Sequence, residues 1–194
     1  MKMIFSLLAL VFTTVSWSAA QNPKSALLLI DIQNFYFKGG RSELVEPVKA
    51  AENAAKLLTE FRLKGLPVIH VRHNSEPGGE IHLLVEPLKG EKIISKNEVN
   101  CFVGTDLLDY LRSLNIRSLV ICGMQTHMCV EAAVRAASDL GFRCILISDA
   151  CATKDLKFDN KLIKAEDVQF STLSTLKSYA EIETTAEFLD NKQE

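Results

Sequence analysis

Six apolar runs of strand length are distributed along the chain. Residues 26–30 and 119–121 are continuous apolar stretches, a pattern that is typical of strands buried on both faces of a sheet. Residues 181–187 instead alternate between polar and apolar positions, which predicts an edge strand. The predicted strands are residues 26–30, 67–71, 92–95, 119–121, 144–150 and 181–187.

Helical periodicity fills much of the chain between these runs. From Pro47, apolar residues recur at helical spacing towards Gly65, and proline at the start with glycine at the end commonly marks helix boundaries. Similar spacing predicts helices over residues 105–114, 126–141 and 161–179. Strands that alternate with helices predict an α/β domain with a mainly parallel sheet of about six strands and right-handed crossovers.

Residues 118–141 combine a strand, a glycine break and a helix. Thr126 is the predicted N-cap of this helix, and Gly141 is the predicted C-cap glycine. Cys129 then lies in the first helical turn, at the positive end of the helix dipole, where a thiol has a lowered pKa and lies near free N–H groups. The alternative is a buried core cysteine.

Asp31, Lys96 and Cys129 each follow the end of a predicted strand. In parallel sheets, ligands bind beyond the carboxyl ends of the strands, so these three side chains are expected at one edge. A lysine ammonium stabilises a thiolate, and an aspartate can take the thiol proton and return it to a leaving amine. Taken singly, Asp31 also fits a capping residue and Lys96 a solvated lysine.

The N-terminal segment has the pattern of a secretory signal peptide. A short basic start precedes apolar residues 4–15, and small residues follow at 18–20. We therefore expect residues 1–20 to be removed, leaving a single domain over residues 21–194 that is secreted or periplasmic. A retained membrane anchor is the alternative, which the absence of an 18-residue apolar run disfavours.

Composition limits the expected partners. The chain has 22 basic and 24 acidic residues and no basic block, which disfavours nucleic acid and, after signal cleavage, membrane surfaces as partners. A small-molecule substrate is expected instead.

Five cysteines in an exported protein raise the question of disulfides. An odd number leaves at least one thiol free or paired between chains. Besides Cys129, the candidates are Cys101, Cys122, Cys144 and Cys151, and their pairing stays open. A thiol-redox protein is therefore an alternative, although no CxxC motif supports it.

The four histidines do not form a recognisable metal-binding motif. His70 and His73 are three residues apart, so in a strand they point to opposite faces. His82 and His127 lie apart from them in the sequence. We expect no metal and no cofactor.

Two loops, residues 33–40 and 74–90, are expected to form the substrate pocket. The second is long and irregular, which is typical of a functional loop. Aromatic and polar side chains in or near these loops can line a pocket, although packing is the commoner use of aromatic residues. The pocket candidates are Gln33, Phe35, Tyr36, His73 and Phe102.

Four segments together resemble the isochorismatase-like cysteine hydrolase family. They are LLLIDIQNFY, PVIHVRH, GEKIISKNEVNCFVGTDLLDYL and VICGMQTHMCVEAAVRAASDLGFRCILISDACAT. The resemblance covers residues 26–189 and implies a Rossmann-like three-layer α/β/α fold. It also implies that the chain assembles as a dimer or tetramer.

The same resemblance assigns roles to individual residues. It implies a catalytic triad of Asp31, Lys96 and Cys129, and a cis peptide between Met124 and Gln125. The backbone N–H groups of Gln125 and Cys129 would then form an oxyanion hole. Each of these assignments comes from the family pattern.

Departures from relatives narrow the expected chemistry. Nicotinamidases of the family carry an Asp-x-His metal motif where this chain has His73-Asn74-Ser75. At the position of Cys101, relatives usually carry a small residue, commonly alanine. The isochorismatases that cleave a vinyl ether lack the nucleophilic cysteine that this chain has as Cys129. The resemblance therefore implies a hydrolase that cleaves a small-molecule amide or ureido C–N bond through a cysteine thioester. An ether hydrolase and a non-catalytic small-molecule-binding protein are the alternatives.

Overall fold

A computed structural model describes residues 24–191, with a six-stranded parallel sheet at its centre. The strands of this sheet are β1 (Ser25–Ile30), β2 (Val68–His73), β3 (Lys92–Lys96), β4 (Ser118–Met124), β5 (Arg143–Ala152) and β8 (Glu181–Glu183). Their order is β3-β2-β1-β4-β5-β8. The predicted fold class is confirmed, whereas the predicted signal peptide, residues 1–20, lies outside the described residues.

Helices cover both faces of the sheet. They are α1 (Pro47–Leu63), α2 (Leu107–Ser113), α3 (Glu131–Asp139), α4 (Ala165–Leu176) and α5 (Thr185–Asp190). Helix α1 packs with α5, and α3 packs with α4. Right-handed crossovers place these two pairs on opposite faces, because the chain runs outward from β1 in one direction and from β4 in the other. Among residues 24–191, no helix has the length and apolar character needed to cross a membrane.

The order in which successive strands are added reverses between β1 and β4, which are parallel neighbours at the centre of the sheet. Such a switch point opens a crevice beyond the carboxyl ends of the two strands. Every residue of β4 is buried, and β1 is buried from Ala26 to Ile30. The fold therefore provides a rigid, dry floor for a site at this position.

The C-terminal part differs from the sequence prediction. The helix predicted over residues 161–179 is shorter, because a hairpin of β6 (Leu156–Phe158) and β7 (Lys161–Ile163) precedes α4. The strand predicted over residues 181–187 ends at Glu183.

A capping box ends that last strand early. The Thr184 hydroxyl accepts a hydrogen bond from the Glu187 N–H, and the Glu187 carboxylate accepts one from the Thr184 N–H. This pair starts α5, so the alternating pattern after Glu183 belongs to a helix.

The turn that carries Cys129 also differs in detail. A single π-helical turn, Thr126–Val130, leads directly into α3, and Gln125 occupies its N-cap position. The prediction of Thr126 as N-cap is wrong, because Thr126 lies inside the turn and its buried hydroxyl has no hydrogen-bond partner. Gly141 follows α3 with a φ of 88°, as expected for a C-terminal glycine.

Gly123 allows β4 to approach β1 beside the site. Its φ is 131°, and a Cβ at this position would lie 2.0 Å from the carbonyl oxygen of Ile30. Ile30 immediately precedes Asp31, so the position of Asp31 depends on this close approach. Any side chain at position 123 would push the two central strands apart.

We predict that Gly123→Ala destabilises the protein by about 3 kcal/mol or more, because the methyl group meets backbone atoms that cannot give way. Gly141→Ala is the matched control, since Gly141 also has a positive φ but nothing lies near its missing Cβ. The control should lose only about 1–2 kcal/mol. Urea unfolding of both variants measures the difference, and equal losses would contradict the close-approach constraint.

Candidate active site

Asp31, Lys96 and Cys129 meet at the carboxyl end of the sheet. Asp31 directly follows β1, and Lys96 is the last residue of β3. Lys96 Nζ lies 2.7 Å from Asp31 Oδ2 and donates to Cys129 Sγ at 3.3 Å. The Asp31 and Lys96 side chains are both completely buried. Residues that are far apart in the sequence are thus brought into one contact cluster.

Strand β2 lies between β1 and β3, so Lys96 must reach past its end to contact Asp31. Along this path, Lys96 Nζ donates to the backbone carbonyl of Glu98 at 3.1 Å and lies 3.3 Å from His73 Nδ1. The long lysine side chain makes this crossing, and its ammonium group is held by polar neighbours on several sides. Asp31 contributes to the geometry through a φ of 47°, a conformation that aspartate tolerates better than most residues.

Burial and pairing act on the two charged groups in opposite ways. Burial raises the pKa of Asp31 above its usual value, although the Lys96 ammonium counteracts part of this effect. Burial alone would lower the pKa of Lys96, but the Asp31 carboxylate and Cys129 raise it above its ordinary value. Lys96 is therefore held as a cation, and Asp31 is a stronger base than a solvated carboxylate.

The Cys129 thiol is protonated at rest. Burial raises its pKa to about 12, the Asp31 carboxylate adds to the rise, and Lys96 counteracts it. The predicted lowering of this pKa is wrong, because the thiol lies at the buried floor of the site. A thiolate must therefore be formed by transferring the proton to a neighbouring base, for which Asp31 is placed.

A cavity of about 250 Å³ opens onto Cys129. It is lined by Phe35, Tyr36, Arg41, Ser42, His73, Ser75, Val99, Gln125, Met128 and Cys129. Three of the predicted pocket residues, Phe35, Tyr36 and His73, are among them. Aromatic walls with a few polar groups are typical of small-molecule sites.

The other two predicted pocket residues, Gln33 and Phe102, do not line this cavity. Gln33 Nε2 donates to the carbonyls of His73 and Gly79 at 2.9 and 2.6 Å, and Gln33 Oε1 accepts from the His73 N–H at 2.8 Å. Its amide is fully used in tying loop 74–90 to the sheet. Phe102 stacks on Phe142 with a ring-centroid distance of 6.4 Å.

Gln125 and Tyr36 form the polar side of the cavity. The peptide between Met124 and Gln125 is cis, at the position that the family pattern implies. Gln125 Nε2 donates to the Tyr36 hydroxyl at 3.3 Å, whereas the buried Gln125 Oε1 has no partner. Burial raises the pKa of Tyr36, so its hydroxyl keeps its proton. The pair thus presents neutral hydrogen-bonding groups next to the thiol.

Sequence reasoning missed two apolar cavity residues, Val99 and Met128, and three polar ones, Arg41, Ser42 and Ser75. Ser75 lies in a loop that the sequence marks as functional, and Arg41 and Ser42 directly follow residues 33–40. The side chains of these polar residues carry no periodic pattern, and only tertiary contacts between the two loops bring them together. The one signal in the sequence that points to Arg41 is that this charged residue directly follows a predicted pocket loop.

The cysteines of the described part of the chain form no disulfide, and the histidines outside the cavity have local structural partners. All five cysteines, which lie within the described residues, are free thiols. His70 Nε2 is 2.8 Å from Glu91 Oε2, His82 stacks on Phe37, and His127 Nδ1 is 2.6 Å from Thr153 Oγ1. Within residues 24–191, no three His, Cys, Asp or Glu side chains cluster as metal ligands would.

A larger cavity of about 530 Å³ lies between α1, the end of β5 and α4. Its thiol, Cys151, has a pKa raised to about 12 by burial and donates to the Ile147 carbonyl. Asp149, which also lines this cavity, accepts hydrogen bonds from Thr185. These groups are used in the fold, so the smaller cavity is the better candidate for chemistry.

Comparisons with known proteins agree on one family. The family model described as Isochorismatase domain matches residues 25–185. The chain is 44% identical over 177 residues to YddQ, an isochorismatase family protein of Bacillus subtilis, with 85% of this chain and 98% of the relative covered. A crystal structure from Oleispira antarctica, assigned as an isochorismatase hydrolase, superposes with a TM-score of 0.84 at 41% identity and covers 89% of this chain and 99% of its own.

A relative with a specific activity in its name is more distant. Streptothricin hydrolase of Streptomyces noursei is 33% identical over 152 residues, which cover 74% of this chain and 60% of that protein.

We predict opposite shifts when the two neighbours of Cys129 are neutralised. Asp31→Asn removes the charge that raises the Cys129 pKa, so alkylation by iodoacetamide should begin at lower pH than in the wild type. Lys96→Met removes the charge that lowers this pKa, so alkylation should begin at higher pH. Peptide mass spectrometry measures labelling of Cys129 across the pH range.

Cys144 is the internal control for this experiment, because burial alone raises its pKa to about 12. Its labelling should not change between the variants, and far-ultraviolet circular dichroism checks their folding. Shifts of Cys129 in the same direction in both variants would contradict the proposed electrostatics.

Proposed function

The chain belongs to the isochorismatase family of hydrolases, and we propose that it is a cysteine hydrolase that cleaves an amide or ureido C–N bond in a small molecule. The observation that carries this proposal is the position of Lys96 Nζ, which contacts both Asp31 Oδ2 and Cys129 Sγ. A base and a thiol that both contact one cation are the groups that acyl transfer to sulfur needs. A nucleophilic thiol also favours acyl transfer over cleavage of an ether.

In the proposed first step, Asp31 takes the proton of Cys129 as sulfur attacks the substrate carbonyl. With a thiol pKa of about 12, a free thiolate at neutral pH would cost on the order of 7 kcal/mol. Proton transfer coupled to attack avoids this cost, because the negative charge moves onto the substrate oxygen. Lys96 stays cationic throughout and offsets the charge that passes between Asp31 and sulfur.

The substrate oxygen becomes negative when the carbon–sulfur bond forms. We assign the backbone N–H groups of Gln125 and Cys129 to this oxyanion, following the family pattern. The location of Cys129 in the first turn before α3 supports the assignment, because N–H groups at a helix start point towards a negative charge.

Collapse of the tetrahedral intermediate breaks the C–N bond and leaves a thioester on Cys129. The leaving nitrogen takes the proton from Asp31 and departs as ammonia or an amine. Water then attacks the thioester while Asp31 accepts a water proton, and that proton returns to sulfur as the thiol is released. The products are a carboxylic acid, or a carbamic acid from a ureido substrate, and the amine.

The cavity limits the size of the substrate. Its volume of about 250 Å³ lies below the roughly 300–1,000 Å³ that is typical of sites for drug-sized ligands. The similarity to streptothricin hydrolase supports hydrolytic chemistry, and we carry over the reaction class rather than that substrate.

Export and self-association are further parts of the proposal. The sequence pattern of residues 1–20 supports secretion or a periplasmic location. Assembly as a dimer or tetramer follows from the family resemblance. Mass determination of the purified native protein tests both, since it gives the N-terminus and the number of subunits.

We predict that Cys129→Ala lowers ammonia release from a substrate identified in a panel of small amides and ureido compounds by at least about 10³-fold, because no other group can form the thioester. Cys144→Ala is the matched control, since Cys144 is a buried thiol that contacts the carbonyls of Val134 and Phe142 instead of Lys96. The control should retain activity. Undiminished turnover by Cys129→Ala would refute the nucleophile.

A further inference from the structure

Arg41 places a positive charge in the wall of the cavity that contains Cys129. It follows the loop 33–40, and its side chain lines the cavity together with Phe35, Tyr36 and Ser75. The Asp31–Lys96 ion pair lies below the cavity and is internally balanced. Among the described residues that line the cavity, Arg41 is the only one with a permanent charge.

The guanidinium group is held by neutral partners. It lies 4.8 Å from the centroid of the Phe35 ring, donates from Nη1 to the Glu76 carbonyl at 2.9 Å, and donates from Nη2 to the Ser75 hydroxyl. No carboxylate within residues 24–191 forms an ion pair with it. Its charge is therefore positioned without being neutralised, and some of its five N–H groups stay available.

The backbone on both sides of Arg41 is fixed. The Gly40 N–H donates to the Phe37 carbonyl at 2.8 Å, and the Ser42 N–H donates to the Phe35 carbonyl at 3.0 Å. A Cβ at Gly40 would lie 2.4 Å from the Phe35 carbonyl oxygen, so the end of the loop packs tightly against the turn Asn34–Tyr36 at its start. A preorganised cation loses less entropy on binding a ligand than a mobile one would.

Arg41 and the nucleophile face the same small space. The positive charge of Arg41 also acts on the Tyr36 hydroxyl, which contacts Gln125 near the thiol. One small molecule in this cavity can thus contact both Cys129 and Arg41. A cationic molecule would be repelled from this cavity, and a neutral one would gain no charge-assisted hydrogen bond from the guanidinium.

We propose that Arg41 is a substrate-binding residue that selects amides or ureido compounds bearing a carboxylate at the end remote from the scissile carbonyl. The planar guanidinium donates in a fork that matches the two oxygens of a carboxylate. This inference rests on the proposed function and adds a substrate class to it: small monoamides of dicarboxylic acids and similar ureido acids.

The test compares acid amides with neutral diamides of the same length in a Cys129→Ala background, in which turnover cannot interfere. The probes are oxamate, malonamate, succinamate and glutaramate, each paired with its diamide, and calorimetric titration measures their binding. At least one acid amide should bind about 10- to 100-fold more tightly than its diamide. Introducing Arg41→Gln should reduce this preference to about twofold, and Arg41→Lys should restore part of it.

Lys38→Gln in the same background is the matched control, because Lys38 is an exposed cation on the same loop that does not line the cavity. The preference for the acid amide should survive this change. Equal binding of acid amides and diamides, a preference that persists in Arg41→Gln, or no binding of any probe at millimolar concentration would each overturn the proposal.

Turnover separates this inference from the proposed function. With Cys129 intact, Arg41→Gln should raise the KM for an acid amide and leave its kcat within about twofold, because binding of the remote group is lost without a change at the thiol. Cysteine-dependent hydrolysis without charge preference would refute only the role of Arg41. Arg41-dependent binding with turnover that ignores Cys129 would refute only the hydrolase mechanism.

Discussion

The ammonium group of Lys96 is buried between a carboxylate and a thiol, and much of the structure serves to keep it there. Taking a charge out of water costs several kcal/mol, and only a closely placed opposite charge offsets that cost. Asp31 provides that charge at 2.7 Å. Replacing a buried ion pair with a hydrophobic pair of similar size is often neutral or stabilising. The ion pair therefore makes better sense as chemistry than as a source of stability.

Several local features position this pair. The reversal of strand order between β1 and β4 creates the crevice, and Gly123 brings the two strands close enough to set the backbone before Asp31. Gln33, fully engaged with the backbone of His73 and Gly79, ties the neighbouring loop to the sheet. A thiol with a raised pKa follows from the same dryness that strengthens the ion pair. The protein thus keeps Cys129 protonated until a substrate can accept the charge.

Periodicity was sufficient to predict the sheet, because buried strands and amphipathic helices follow simple repeats. It failed at residues 181–187, where the reciprocal hydrogen bonds of Thr184 and Glu187 start a helix within an alternating pattern. Strand ends also indicated that Asp31, Lys96 and Cys129 would share one edge. The direction of the Cys129 pKa shift was not readable, because helix position predicts a lower value and only the three-dimensional burial outweighs it. Arg41 was missed for a similar reason, since its partners Phe35, Ser75 and Glu76 come from two separate loops.

The most direct test of the central claim is the covalent state of Cys129 during turnover. A reaction with an amide that the protein hydrolyses is quenched with acid at successive times. Peptide mass spectrometry should then show one acyl group on Cys129 that appears and decays with turnover. Asp31→Asn should slow the formation of this adduct, because the thiol then lacks its base. Two results would contradict the account. One is turnover with no adduct on Cys129 when quenching is fast and no hydroxylamine or other added nucleophile is present. The other is an acyl group on a different residue.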